Sequence, residues 1–331
     1  RNSLEKKNYE LYSFYFHDHD KFNIDFKIAE RNCKKFGDNL NAVEIKFKDF
    51  QDNIEKVTEI LEEPISNQSS ILNYLMAKNV REKVMFNGDG GDEIFGGYDH
   101  YRSAYILSNL SKINIFKKIK KVKFKNKNIN RIFFENSKQF FLSFNEGNLM
   151  KNKEKYFLNF QELKIGDLEL NHTENFNFSN RLNDICYLDI DTKIVNDFLR
   201  RNDNIFMNFG IEARVPFLDQ KMIENYLFVD ERKKFGNLLE SKSILKKNFK
   251  GDFETVKTKW GLQSPIAKWM KKELQPFLHD ILNESYYDNS KNYLNFNNIK
   301  SLLKRHKEEY YNPDLIWSLV VFQIFLKKFN L

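Results

Sequence analysis

Asn87-Gly88-Asp89-Gly90-Gly91-Asp92-Glu93-Ile94-Phe95-Gly96-Gly97-Tyr98 puts five of the chain's twelve glycines within ten residues and sets three carboxylates among them. It follows Lys83-Val84-Met85-Phe86, a short apolar run that reads as a strand. Glycines let backbone amides come close to a phosphate or a nucleotide. Backbone donors beside carboxylates suit magnesium–nucleotide chemistry, because Mg²⁺ takes one or two carboxylates together with phosphate oxygens. A calcium loop started at Asn87 fails, since Gly91 and Asp92 stand where an acid and a glycine are needed. Neither a Walker A loop nor a G-x-G-x-x-G fingerprint fits the residue order. The bland alternative is a glycine-rich turn with solvated acids.

Upstream, strand and helix signals alternate. Residues 11–16, Leu-Tyr-Ser-Phe-Tyr-Phe, read as a buried strand. Residues 24–36 read as a helix stopped by Gly37, and residues 42–47 alternate like a second strand. Phe50, Ile54, Val57 and Leu61 share helical spacing and end before Pro64. Ser69 or Ser70 is placed to cap a helix carrying Ile71, Leu72, Leu75, Met76 and Val80. Alternation over 11–95 predicts an α/β unit with a mainly parallel sheet, and ligands in such sheets bind beyond the carboxyl ends of the strands. That rule points at the glycine stretch. Residues 193–209, 219–228, 264–282 and 313–329 carry helix patterns, the last with Asn312 as cap and Pro313 in its first turn.

The 331 residues carry 54 Lys and Arg against 46 Asp and Glu, a formal net charge of +8. Nine bases fall between Lys112 and Arg131 with no acid among them, so nine from +8 leaves −1 for the rest of the chain. A phosphate-binding strip is one reading. A solvated lysine-rich segment is favoured, because sequence-specific recognition prefers arginine's fork and no nucleic-acid motif accompanies the lysines. Cys33 and Cys186 form no CxxC or Cys/His cluster, which argues against structural zinc and a disulfide framework and for the cytoplasm. The apolar stretch from Leu315 to Leu326 is too short to span a bilayer. His17-Asp18-His19 reads as a solvated turn before it reads as a metal site, and Arg200-Arg201-Asn202-Asp203 as a helical interface ion pair.

Five blocks together resemble the glutamine-dependent asparagine synthetase family. Gly88–Arg102, GDGGDEIFGGYDHYR, is similar to its SG-(D/E)-G-x-DE-x-FGGY signature. Asp203 and Met207 followed by GIEARVPFLD over 210–219 resemble DR-x-SMA-x-x-x-E-x-RVPFLD. Lys259-Trp260-Gly261-Leu262 with Pro265 and Trp269 resembles K-x-GF-x-x-P-x-x-x-W. Glu62-Glu63-Pro64-Ile65 with Ser69 is similar to DEP-x-x-D-x-S, and Ile316-Trp317-Ser318-Leu319 to the closing helix. The blocks keep the family's order across residues 11–329.

The resemblance implies a nucleotide-binding α/β unit of the ATP-pyrophosphatase type (adenine nucleotide alpha hydrolase-like) with a parallel sheet, followed by a mostly helical region. The expected parts are an α/β part over 1–110, a lysine-rich, mostly helical insertion over 111–185 and a helical C-terminal part over 186–331. It implies adenylation of a carboxylate, aspartate foremost, by ATP with Mg²⁺, then attack by ammonia from a glutaminase domain. By resemblance, Asp89 and Lys259 are catalytic, Phe14, Asn87, Gly88 and Gly90 approach ATP, Asp92 is a magnesium ligand, and Ser69 and Glu93 bind the substrate. The resemblance leaves room for a homodimer. Other acceptors in the family are a sugar carboxylate or a peptide or β-lactam precursor. A remnant binding anionic partners through 112–131 is a reading of another class.

The sequence also departs from the pattern. An SGG-x-DS phosphate loop, expected just upstream of 11–16, and a glutaminase domain with a terminal cysteine have no counterpart in these residues. The chain is therefore expected to be inactive alone. Asn87 replaces a serine, Tyr15 a glycine, Asn204 an arginine and Asn67 an aspartate.

Overall fold

The computed structural model describes residues 9–111, 155–158, 181–236, 240–254, 264–309 and 311–331. Lys259 and the lysines of 112–131 lie outside them. The chain divides into two units, one of residues 1–85, 201–212 and 251–331, the other of 86–200 and 213–250.

In the first unit, β1 (Leu11–Tyr15) and β2 (Leu40–Glu44) pair in parallel, in register from Leu11 with Leu40 to Tyr15 with Glu44. The connecting Ile24–Phe36 helix ends at Gly37, whose φ of 67° closes the turn as the sequence predicts. The second strand stops earlier than the alternation to Phe47 suggests. Lys46 is extended and Phe47 opens the next helix, Phe47–Asp52, so that Phe47 and Phe50 reach Trp269 with ring centroids 5.6 and 5.2 Å away. Burial of aromatic area outweighs three more residues of strand. Phe16 also packs on Trp269, and Phe50 on Trp317, which makes the aromatic centre of this core.

The Ser69–Ala77 helix forms, but neither serine caps it. Asn67 Oδ1 accepts from the Ser69 amide at 3.1 Å and from its hydroxyl at 2.8 Å, an Asx turn that frees Ser69 for another partner. The single helix expected over 264–282 is two, Ile266–Lys271 and Gln275–Ile281, because Lys272 leaves helical geometry at ψ −88°. The closing helix runs Pro313–Phe329 with the Asn312 side chain on the Leu315 amide, as its start signal predicts.

The expected sheet is not continuous among the described residues. β3 (Val84–Phe86) pairs with β4 (Glu212–Arg214) rather than with β1 and β2. The bonds Glu212 N to Lys83 O and Asn87 N to Arg214 O run in the parallel sense. β4 has three residues and no alternation to announce it. Phe86 of β3 is 65% exposed, unlike a buried central strand.

The second unit is helical around the glycine stretch. Its core gathers Ile94, Phe95, Tyr101, Tyr105, Leu182, Ile185, Cys186, Leu227 and Phe235. The helix expected over 193–209 begins earlier. Helical residues run Arg181–Asp189, continue as a π-helical turn sequence over Ile190–Leu199, and resume at Arg200–Met207. The wider π register changes the faces that a 3.6-residue period assigns.

Candidate functional site

The loop after β3 starts with an Asx turn, in which the Asp89 amide donates to Asn87 Oδ1 at 3.1 Å. Gly90 follows at φ 85°, ψ −17°, a conformation side chains avoid, and a Cβ there would lie 2.3 Å from Leu218 Cδ2. A Cβ on Gly91 would lie 3.2 Å from the Phe217 ring. The glycines thus let this backbone lie against Phe217 and Leu218 of the second motif block. The short Gly91–Phe95 helix carries Asp92 and Glu93 and closes at Gly96, φ 71°.

Glu93 is 1% exposed. Burial raises its pKa, a hydrogen bond from the Tyr98 hydroxyl opposes that, and Asp92 and Asp189 add to it. Burial beside Glu93 and Asp92 pushes the Tyr98 phenol well up in turn. Tyr98 stacks on His100 at 5.3 Å and 11°. His100 Nε2 lies 3.1 Å from Asp189 Oδ2, to which the buried Tyr101 hydroxyl also donates. A tyrosine–histidine–carboxylate cluster therefore backs the loop. Asp92 Oδ1 forms an ion pair with Lys242 Nζ at 2.8 Å. Lys234 is buried and donates to Asn183 Oδ1 at 3.0 Å and to the Leu227 carbonyl, and burial lowers its pKa.

Of the residues singled out from sequence, Asn87, Gly88, Asp89, Gly90, Asp92 and Glu93 come together in the second unit. Phe14 and Ser69 belong to the first, where Phe14 meets Phe16 edge to face at 5.8 Å. Arg201, read from sequence as half of an ion pair, is 1% exposed and donates to Ser69 Oγ, while Asn73 donates to Asn202 Oδ1 at 2.7 Å. The glycine-rich motif marked neither Arg201 nor Lys242, and among 43 lysines nothing in the sequence distinguishes Lys242. His17 Nδ1 pairs with Glu44 at 3.1 Å and His19 Nε2 accepts from Trp269 Nε1 at 3.1 Å, so the two histidines serve different partners.

The described residues do not fit a magnesium ion held by this loop. Asp92 is already paired with an ammonium, Glu93 is buried on Tyr98, and no three His, Cys, Asp or Glu side chains converge among the described residues. A hard divalent cation needs six oxygens and one free carboxylate at the least. Among the described residues no helix is long and apolar enough to cross a membrane.

Comparison with known proteins agrees with the motifs. A family model described as asparagine synthase matches residues 3–327. The chain is 25% identical over 321 residues to asparagine synthetase [glutamine-hydrolyzing] 1 of Bacillus subtilis, covering 90% of this chain and 49% of that protein. It is 33% identical over 76 residues to putative asparagine synthetase [glutamine-hydrolyzing] 2 of Methanocaldococcus jannaschii, covering 22% of this chain and 15% of that protein. The chain thus spans about half the length of the Bacillus relative.

Proposed function

We propose that this chain, which belongs to the asparagine synthase family, performs the amide-forming half of an ATP-dependent ligase, with aspartate as the carboxylate and asparagine as the product. The observation that carries the reading is the folded loop of 87–97, with Gly90 and Gly91 closed on Phe217 and Leu218 and Glu93 buried behind them. Two family blocks far apart in sequence make one structure, as a shared site requires.

A carboxylate oxygen of the substrate attacks the α-phosphorus of ATP, and pyrophosphate leaves. Ammonia then attacks the acyl carbon, AMP departs with the bonding electrons, and Asp89 accepts the proton the nitrogen sheds. Asn87, Gly88 and Gly90 approach the nucleotide through a backbone free of side-chain bulk. Phe14 keeps the role on the adenine side that the resemblance gives it, and Ser69 and Glu93 the role on the substrate. Lys259 stabilises charge in both steps. A lysine about 4 Å from a unit charge, at an effective dielectric near 20, is worth roughly 4 kcal/mol, about a thousandfold in rate. The ammonia comes from glutamine hydrolysis, as the names of both relatives suggest. The buried free thiols of Cys33 and Cys186 support a reducing, cytoplasmic setting. No step is assigned to magnesium at Asp92, which the Lys242 pair occupies.

Aspartate-dependent exchange of labelled pyrophosphate into ATP, measured on the full-length protein, tests the first step. Lys259→Ala should lower exchange about a thousandfold. Asp89→Asn should keep exchange and lose asparagine formation, since the proton leaves only in the second step. Exchange indifferent to Lys259→Ala, or asparagine formation surviving Asp89→Asn, would overturn these assignments.

A further inference from the structure

Asp92 has a cation of the chain's own, and the surrounding structure is shaped to keep it there. The ion pair at 2.8 Å joins a carboxylate side chain that is 15% exposed to a lysine that is 29% exposed. Gly97 makes the room for it, since a Cβ at that position would fall 1.6 Å from Asp92 Oδ1 and 2.5 Å from Lys242 Cε. The Gly97 amide also donates to the Asp92 carbonyl at 2.7 Å, which fixes the glycine against the pair. Lys242 sits at φ 55°, ψ 32°, a left-handed conformation that non-glycine residues enter rarely and chiefly where surroundings enforce it. Its neighbour Ser243 is fully buried, and a Cβ on Gly236 would lie 2.4 Å from the Ser243 hydroxyl. Two glycines therefore receive two consecutive side chains, and the backbone carrying the lysine is anchored on both sides. A mobile surface lysine needs neither device.

We infer that Lys242 is the resident counter-cation of Asp92 and that, in the nucleotide-free chain, it excludes a divalent cation from that carboxylate. Two cations cannot both lie within 3 Å of one carboxylate oxygen without strong mutual repulsion. Mg²⁺ also gives up its water reluctantly and has little to gain from a carboxylate already neutralised. Asp92 is thus opened to a metal only by a group that draws the ammonium away, and a phosphate has the charge to do so. The functional meaning rests on the proposed adenylating role of the loop, whereas the ion pair stands on geometry alone.

Mn²⁺, read by the electron paramagnetic resonance of the free ion, is the probe, titrated into the full chain without nucleotide. The unsubstituted chain and Lys242→Arg should show no Mn²⁺ binding that Asp92→Asn removes. Lys242→Gln should gain one Mn²⁺ bound at least tenfold more tightly, and Lys242→Gln with Asp92→Asn should lose that gain. If circular dichroism shows Lys242→Gln to be unfolded, Lys242→Met, of similar length and no charge, carries the same comparison. Loss of Mn²⁺ on Asp92→Asn in the unsubstituted background would overturn the inference while leaving the adenylation reading standing. No gain in either uncharged variant would overturn it as well. Absent pyrophosphate exchange would sink the functional reading and leave this result untouched.

Discussion

Gly90→Ala is the sharpest perturbation of the loop, because two separate costs can be read from one position. The first is conformational. At φ 85° an L side chain is disfavoured by about 1–2 kcal/mol. The second is steric. The new Cβ would meet Leu218 Cδ2 at 2.3 Å and Leu218 Cγ at 2.5 Å, and Cγ, unlike a terminal methyl, moves away only if the whole side chain rotates about its Cα–Cβ bond. Overpacking of this kind costs about 1–3 kcal/mol. The sum is about 2–5 kcal/mol. An unfolding entropy near 2.1 cal/mol/K per residue gives roughly 0.7 kcal/mol/K for a chain of this length. The melting temperature should therefore fall by about 3–7 °C, followed by circular dichroism. Leu218→Ala separates the two costs. Added to Gly90→Ala it should recover about 1–3 kcal/mol of the steric share, a favourable coupling in a double-mutant cycle, and leave the conformational share behind. A Gly90→Ala melting temperature within about 1 °C of the parent, or strict additivity with Leu218→Ala, would refute the packing of the first motif on the second.

Gly97→Ala should displace Asp92 and Lys242 together and cost about 2–4 kcal/mol, combining overpacking with loss of a half-buried ion pair; a melting temperature equal to the parent's would contradict the 1.6 Å approach. Glu93→Gln should stabilise the chain at pH 7–8, because burial raises the folded pKa of Glu93. A raised folded carboxyl binds more protons folded than unfolded, so the stability it confers is present at low pH and is lost as pH rises from the unfolded value near 4.3 through the folded one. The advantage of glutamine should therefore shrink to nothing below about pH 4, and a Gln variant less stable at pH 8 would count against it. Cys186, fully buried with its thiol pushed up to about 12, and Cys33, also buried and raised, should resist a thiol reagent at pH 8 until denaturant is added; rapid labelling of the native chain would show the second-unit core to be open.

The parts of the fold legible in the sequence are those set by local rules. Gly37 stops a helix because a left-handed residue is needed there, and Asn312 with Pro313 starts one because both satisfy orphan amide positions. The loop around Gly90 was legible for the same reason, since its glycines answer to steric demands that show in the letters. What was not legible depends on partners distant in sequence. The sequence of β3 reads as a strand, yet nothing local says that it pairs with Glu212–Arg214. Ser69 looks like a cap and is instead held by Asn67 and reached by Arg201, 132 residues away. Lys242 carries no mark at all, because its role comes from the space that Gly97 leaves.

Among the ionisable side chains that the second unit buries, three have chiefly neutral hydrogen-bond partners. Glu93 has Tyr98, Asp189 has Tyr101 with His100, and Lys234 has Asn183 and a carbonyl. A core selected for stability alone gains by replacing such groups with apolar ones of equal volume. Tyrosine donors do something an opposite charge would not. They fix the direction of a carboxylate while leaving its proton affinity sensitive to whatever charge arrives nearby. Asp92, one residue from Glu93, is treated in the opposite way, with a full charge against it. Neighbouring acids held by a phenol and by an ammonium differ in how they meet an incoming anion. The ammonium has a competing partner to move towards, and the phenol does not. On the proposed reading, Asp92 and Lys242 are the pair that responds to a phosphate, and Glu93 is the fixed wall beside them.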